Sequence, residues 1–217
     1  MPTARQFLVR VSPIALMLGV TLTSLNASAQ DRLQLGAYAG AMIGGTVTGE
    51  SPVLTRQVSI ADSASYGGTL DIGVRPGAFA ELSYTRQASE AQITQSDNTS
   101  FRHDLVVEYA QIGGTLDYPL AIEWIRPVFG ATLGATRFSA EDQGIQYDDW
   151  HFSFLVEGGA KFQILRVLGI RLRARLLTTF LTDEAALFCA GAVGCAYAWS
   201  GTPLFQGEFA AGAYLSF

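Results

Sequence analysis

Arg171, Arg173 and Arg175 stand at every second position of one short segment, with Ile170, Leu172, Ala174 and Leu176 on the alternate positions. On an extended chain, side chains spaced two apart point the same way. A guanidinium taken out of water without partners costs roughly several kcal/mol, so this row fits neither a lipid face nor an apolar core. The chemistry open to it is ion pairing with carboxylates, and a surplus arginine would mark water, an anion or a switch. Asp71, Glu81, Glu157 and Glu208 are the candidate partners, with Lys161 as a further cation. A second constellation is His151 and Ser153, which share a face with Glu157 as nucleophilic catalysis requires. A third is Cys189 and Cys195, close enough in sequence for a small surface disulfide in an oxidising compartment. With two histidines in the chain and no second ligand pair, no metal site is expected. No glycine-rich phosphate loop, dinucleotide fingerprint or basic stripe is present, so neither a cofactor nor a nucleic acid is expected as a ligand.

The elements that must position these residues follow from a period of two. The chain is 49% hydrophobic and only 15% charged. Apolar and polar side chains alternate in eight stretches. The first runs over Leu33 to Gly44, the second over Tyr66 to Arg75, the third over Ala78 to Gln87 and the fourth over Leu105 to Asp117. The fifth covers Val128 to Ser139, the sixth begins at Trp150, the seventh holds the arginine row and the eighth is Leu204 to Phe217. In the sixth, Trp150, Phe152, Phe154, Val156, Ala160, Phe162 and Ile164 face one way, and His151, Ser153, Glu157, Lys161 and Gln163 the other.

The connections alternate in length. Those around Pro76, Pro119 and Val167 are short, and Thr48 to Ser63, Ser89 to His103, Ala140 to Asp149 and Thr182 to Pro203 are long. Short turns on one side and long loops on the other describe a transmembrane eight-stranded antiparallel up-and-down β-barrel. In a ring of eight, the third and seventh strands oppose each other, which lets Glu81 meet the arginines across the lumen while Glu157 and Glu208 flank them. Tyr118, Trp124, Phe162 and Phe217 fall toward the short turns, and Tyr84, Trp150, Phe152, Phe180 and Phe205 toward the long loops, as two interfacial girdles would. Ala185 to Gly207 carries no charge and is apolar, but its glycines, Pro203 and two cysteines favour a disulfide-pinned outer loop over a membrane helix.

The N-terminus has the form of a secretory signal peptide, with Arg5 and Arg10 before the apolar stretch Ile14 to Leu22 and a small-residue site at Ala27-Ser28-Ala29. Residues 1–29 are expected to be removed, leaving 30–217 as one domain. Losing two arginines and no acid would take the formal charge from -5 to -7. At the other end Phe217 follows Leu215, Ala213, Ala211 and Phe209 at alternate positions. On these residues the chain resembles bacterial outer-membrane β-barrel proteins, whose last strand ends in an aromatic residue, and its size and charged interior resemble the small OmpA and OmpX class. The resemblance implies residence in the outer membrane, contact with membrane lipid and lipopolysaccharide, and handling of Phe217 by the barrel assembly machinery.

Two functional classes compete with a structural or interaction role carried by the outer loops. An eight-stranded barrel is just wide enough for its side chains to fill, so a lumen plugged by charge pairs is expected, with a narrow channel for small or hydrophobic solutes as the alternative. The His151-Phe152-Ser153 element is similar to that of outer-membrane lipid A deacylases. Those enzymes turn the pair to the lipid, whereas alternation here turns it inward, and apolar residues around Leu165 stand where their acidic partner lies. The pair therefore reads as a rim histidine and a lumen serine, and no enzymatic activity is expected.

Overall fold

The computed structural model describes residues 33–50, 55–95, 100–120, 124–142, 145–181 and 203–217. They form ten strands: β1 (Leu33–Ile43), β2 (Thr46–Glu50), β3 (Thr55–Ile60), β4 (Ser63–Arg75), β5 (Ala78–Gln95), β6 (Ser100–Asp117), β7 (Ile125–Asp142), β8 (Ile145–Gln163), β9 (Leu168–Phe180) and β10 (Pro203–Ser216). Eight of them, β1 and β4 to β10, pair with their neighbours in an antiparallel ring. Closure comes from β1 against β10, in register from Gln34↔Ser216 to Ile43↔Gly207, so the ring has no open edge at this level. Every backbone donor and acceptor in a closed ladder finds a partner on an adjacent strand, which is the condition a sheet must meet to sit in hydrocarbon.

The pleat sorts the side chains as the alternation requires. Leu172 and Leu176 on β9 and Phe152 and Phe154 on β8 are exposed outside, while Arg171, Arg173 and Arg175 and then Ser153 and Glu157 are buried inside. The outward run of β9 from Ile170 to Phe180 spans about 33 Å of strand, or about 25 Å of height at the usual tilt of such barrels. That is the depth of a bilayer's apolar band. At the margins of the band, Tyr118 packs edge-on against Phe129, Trp124 lies against Phe162, and Phe152 stacks on Phe180, with ring centroids 6.2, 6.2 and 5.9 Å apart.

Two of the three connections expected to be short lie wholly within the described residues, and both are tight. Between β4 and β5, Gly77 takes a φ of 74°, a left-handed value that a side chain would resist, and its carbonyl accepts from the Asp117 amide at 2.7 Å. Between β8 and β9, Gln163 donates from Nε2 to the carbonyls of Leu165 and Arg166 at 2.6 and 3.2 Å and pins the turn.

Three of the four expected long connections are in large part strand. Thr48 to Ser63 holds most of the β2–β3 hairpin, which continues β1 and β4 past a kink where Gly44 N donates to Asp62 Oδ1 at 2.7 Å. The stretches Ser89 to His103 and Ala140 to Asp149 are mostly the outer ends of β5, β6, β7 and β8. Their polarity suggested loops, but above the apolar band a strand needs only its inner face apolar, so the ladder runs on with a wet exterior. The fourth connection, with Cys189 and Cys195, lies outside the described residues except where Pro203 to Gly207 forms the start of β10. Residues 1–29 also lie outside them. Among the described residues no helix is long and apolar enough to cross a membrane.

Candidate functional site

The lumen changes character along its length. Nearest the short turns, Lys161 of β8 is 2% exposed and donates to both carboxylate oxygens of Asp117 at 3.1 Å and to Gln34 Oε1 at 2.9 Å. Its ammonium also faces the Phe79 ring, 4.4 Å from the centroid. Asp117 closes β6 on the inward parity of Thr115 and Gln111 and was absent from the set drawn from the sequence. The alternation of that strand was sufficient to place it inside.

One step further in, Arg171 reaches Asp71 Oδ2 at 3.2 Å and Glu81 Oε2 at 2.9 Å, and it also pairs with Glu157. Arg173 shares the same Glu81 oxygen at 2.9 Å and lies 3.6 Å from Glu157. Glu81 comes from β5 and the arginines from β9, so these bonds cross the lumen. Arg175 pairs with Glu208 on the adjacent β10 and donates to Thr85 Oγ1 at 3.3 Å, while Ser65 donates to Glu208 at 2.5 Å. Among the described residues each of these four lumen cations has at least one carboxylate partner, so no surplus arginine marks an anion site.

Tyr38, from β1, organises the arginines sterically. Its ring faces the Arg173 and Arg175 guanidiniums, 5.1 and 4.6 Å from the centroid, and its hydroxyl donates to the Tyr84 carbonyl at 3.0 Å. The ring passes over Gly67, where a Cβ would collide with the phenol oxygen. Buried guanidinium nitrogens that lack a carboxylate, such as Nη1 of both arginines, thus lie beside an aromatic face rather than bare hydrocarbon.

Toward the outer hairpins the charges give way to neutral polar groups interleaved with hydrocarbon. Gln111 donates to Ser153 Oγ at 2.6 Å, Thr136 bonds Thr179 at 3.0 Å, and Tyr109 bonds Gln206. Interleaved with these groups and above them, Met42, Ile60, Leu105, Val107, Phe138, Leu155, Leu177, Leu181 and Leu204 form one buried apolar cluster, which begins at the Leu155 and Leu177 pair directly beside Glu157 and Arg175. Most of these residues lie within the strands expected from the sequence, where Leu105 and Val107 continue the inward parity of Tyr109, but the inward set was drawn from charged residues and so left the apolar cap out.

His151 and Ser153 both point inward. The His151 ring is wholly buried, with Phe138 edge-on at 5.7 Å and Asp149 Oδ2 3.3 Å from Nε2. Ser153 is 0% exposed and its oxygen is already an acceptor for Gln111. This is the surrounding of a packed histidine and a bonded serine, with the lipid face of the strand occupied by Phe152 and Phe154.

Outside the barrel, just above the apolar band, Glu108 accepts from Tyr84 at 2.5 Å, Arg86 at 3.4 Å and Arg137 at 3.1 Å, and Arg137 also donates to Asp148 at 2.9 Å. This belt marks where the exterior turns polar.

The solved structure of neisserial surface protein A is similar to this one with a TM-score of 0.60 at 13% identity, over 88% of this chain and 100% of that one. The N-terminal β-barrel domain of Pseudomonas aeruginosa OprF has a TM-score of 0.46 at 11% identity, over 88% and 100%. Ail, the attachment invasion locus protein of Yersinia pestis, has 0.43 at 12%, over 86% and 99%. No family model matches the chain, and no curated protein matches it in sequence. At 13% identity a likeness speaks to the fold alone. With its ring of eight antiparallel strands and apolar exterior, the chain has the fold of the small outer-membrane β-barrels, as seen in neisserial surface protein A.

Proposed function

We propose that this protein spans a bacterial outer membrane as a closed barrel and acts as an anchor, presenting its outer strands and loops to lipopolysaccharide or to other proteins. The observation that carries the reading is the combination of an apolar exterior about 25 Å tall with buried, inward-facing side chains along the length of the described strands. Cation–carboxylate bridges fill the lower part and the apolar cluster fills the outer part. A channel would need both to yield.

Export with removal of residues 1–29, a Cys189–Cys195 disulfide and recognition of Phe217 by the barrel assembly machinery belong to the same proposal. The enzyme reading has less support, because both members of the His151 and Ser153 pair are shut inside the wall. Two measurements on one preparation test the proposal. Protein from isolated outer membranes should migrate differently on a gel before and after heating, and in planar bilayers it should give no steady conductance. Steady single-channel currents would replace the anchor with a channel, and a change in lipid A mass tied to the protein's presence would replace it with an enzyme.

A further inference from the structure

Two arginines on the short-turn rim differ from those on the outer rim in how they are held. On the outer rim Arg86 pairs with Glu108 at 3.4 Å, Arg102 with Glu90 at 3.7 Å, and Arg137 with Glu108 and Asp148 at 3.1 and 2.9 Å. On the short-turn rim Arg75 and Arg166 are exposed, and among the described residues neither has an ion-pair or side-chain hydrogen-bond partner. Their neighbours are apolar and exposed as well. Val74 precedes Arg75, and Arg166 sits between Leu165 and Val167, which are 59% and 54% exposed, with Ile164 before them.

A turn reading Ile-Leu-Arg-Val is poorly suited to water on all sides. At a lipid–water boundary it fits, because the apolar side chains enter the acyl region while the guanidinium reaches outward to the headgroups. The nearby Tyr118, Trp124 and Phe217 are all exposed aromatics of the kind that settle at this boundary. In the ring the β4–β5 turn and the β8–β9 turn are separated by two strands on either side, so Arg75 and Arg166 lie across the barrel from each other. No single small ligand could meet both.

We propose that Arg75 and Arg166 each hold the phosphate of an anionic phospholipid in the leaflet that meets the short turns, as two separate contacts in the lipid shell. The inference rests on the membrane-spanning reading above. To test it, the protein is inserted into vesicles of phosphatidylcholine alone or mixed with phosphatidylglycerol, insertion is read by the gel shift, and the retained lipid is weighed by native mass spectrometry. Phosphatidylglycerol should be enriched about fivefold per arginine and lose that enrichment at high salt. The Arg75→Gln, Arg166→Gln double variant should lose it, the corresponding double lysine variant should keep most of it, and Arg102→Gln should leave it unchanged because that cation already has Glu90. Enrichment that persists in the double glutamine variant, or in the parent at high salt, overturns the lipid contact. Failure of the parent to insert into either vesicle would count instead against the membrane-spanning reading.

Discussion

Around Arg171 and Arg173 the lumen is held by directional bonds between full charges, whereas from Leu155 and Leu177 outward the same barrel is held mainly by packed hydrocarbon. The two regions share strands, so backbone and pleat are common to both and the filling alone differs. Charge pairs bridge a wide gap with long side chains and tie opposite walls together through named atoms. Hydrocarbon fills by volume and tolerates rearrangement, but it excludes water and ions more completely. A barrel with both in series is braced in one half and sealed in the other.

The largest expected effect comes from breaking the brace. Glu81→Ala strips the shared carboxylate from Arg171 and Arg173 and should cost about 3–5 kcal/mol in urea unfolding of the inserted protein. Leu155→Ala in the sealed half should cost about 2–5 kcal/mol, set by how far the cavity collapses. The comparison sharpens in double variants. Replacing Glu81 and Arg173 together by leucine should recover more than half of the Glu81→Ala loss, since the uncompensated charge goes too and Arg171 keeps Asp71 and Glu157. Leu155→Ala with its cross-strand neighbour Leu177→Ala should recover nothing. Recovery in the apolar pair, or none in the charged pair, would erase the distinction drawn between the halves.

A series arrangement also predicts conductance. Arg173→Ala alone and the Leu155→Ala, Leu177→Ala pair alone should both stay silent in planar bilayers, while the three together should conduct. Conductance from either set alone would locate the seal in one half. The smallest effect lies outside the lumen. The hydrogen bond from Arg137 holds the Asp148 carboxyl below the ordinary carboxylate range. The contact therefore stabilises the folded state above that range and fades as pH falls through the lowered value. Arg137→Leu should raise the titration of Asp148 toward the ordinary range, as followed by carboxyl chemical shifts, with little change in overall stability.

Much of this was legible in the amino-acid order. Alternation in β8 and β9 separates Phe152, Phe154, Leu172 and Leu176 from Glu157, Lys161 and the three arginines with no knowledge of neighbours. Pro76 and the short Arg166 to Gly169 stretch gave two tight connections. The outer hairpins were harder to see, because polarity was the only cue to a loop and a strand standing clear of lipid is polar outside as well. Asp117 was missed although its parity was plain, since a carboxylate at a strand end carries no sign of its partner.

What the sequence by itself determined is parity, and hence which side chains face lipid and which face the lumen, because a pleat of period two leaves no other choice. What only the tertiary structure decided is the detailed pairing: Lys161 with Asp117, which of the three arginines share the Glu81 carboxylate, and Tyr38 beneath two guanidiniums. Those contacts join residues 44, 90, 92 and more than 100 positions apart. They depend on strand stagger around a closed ring, a quantity that no local run of residues encodes.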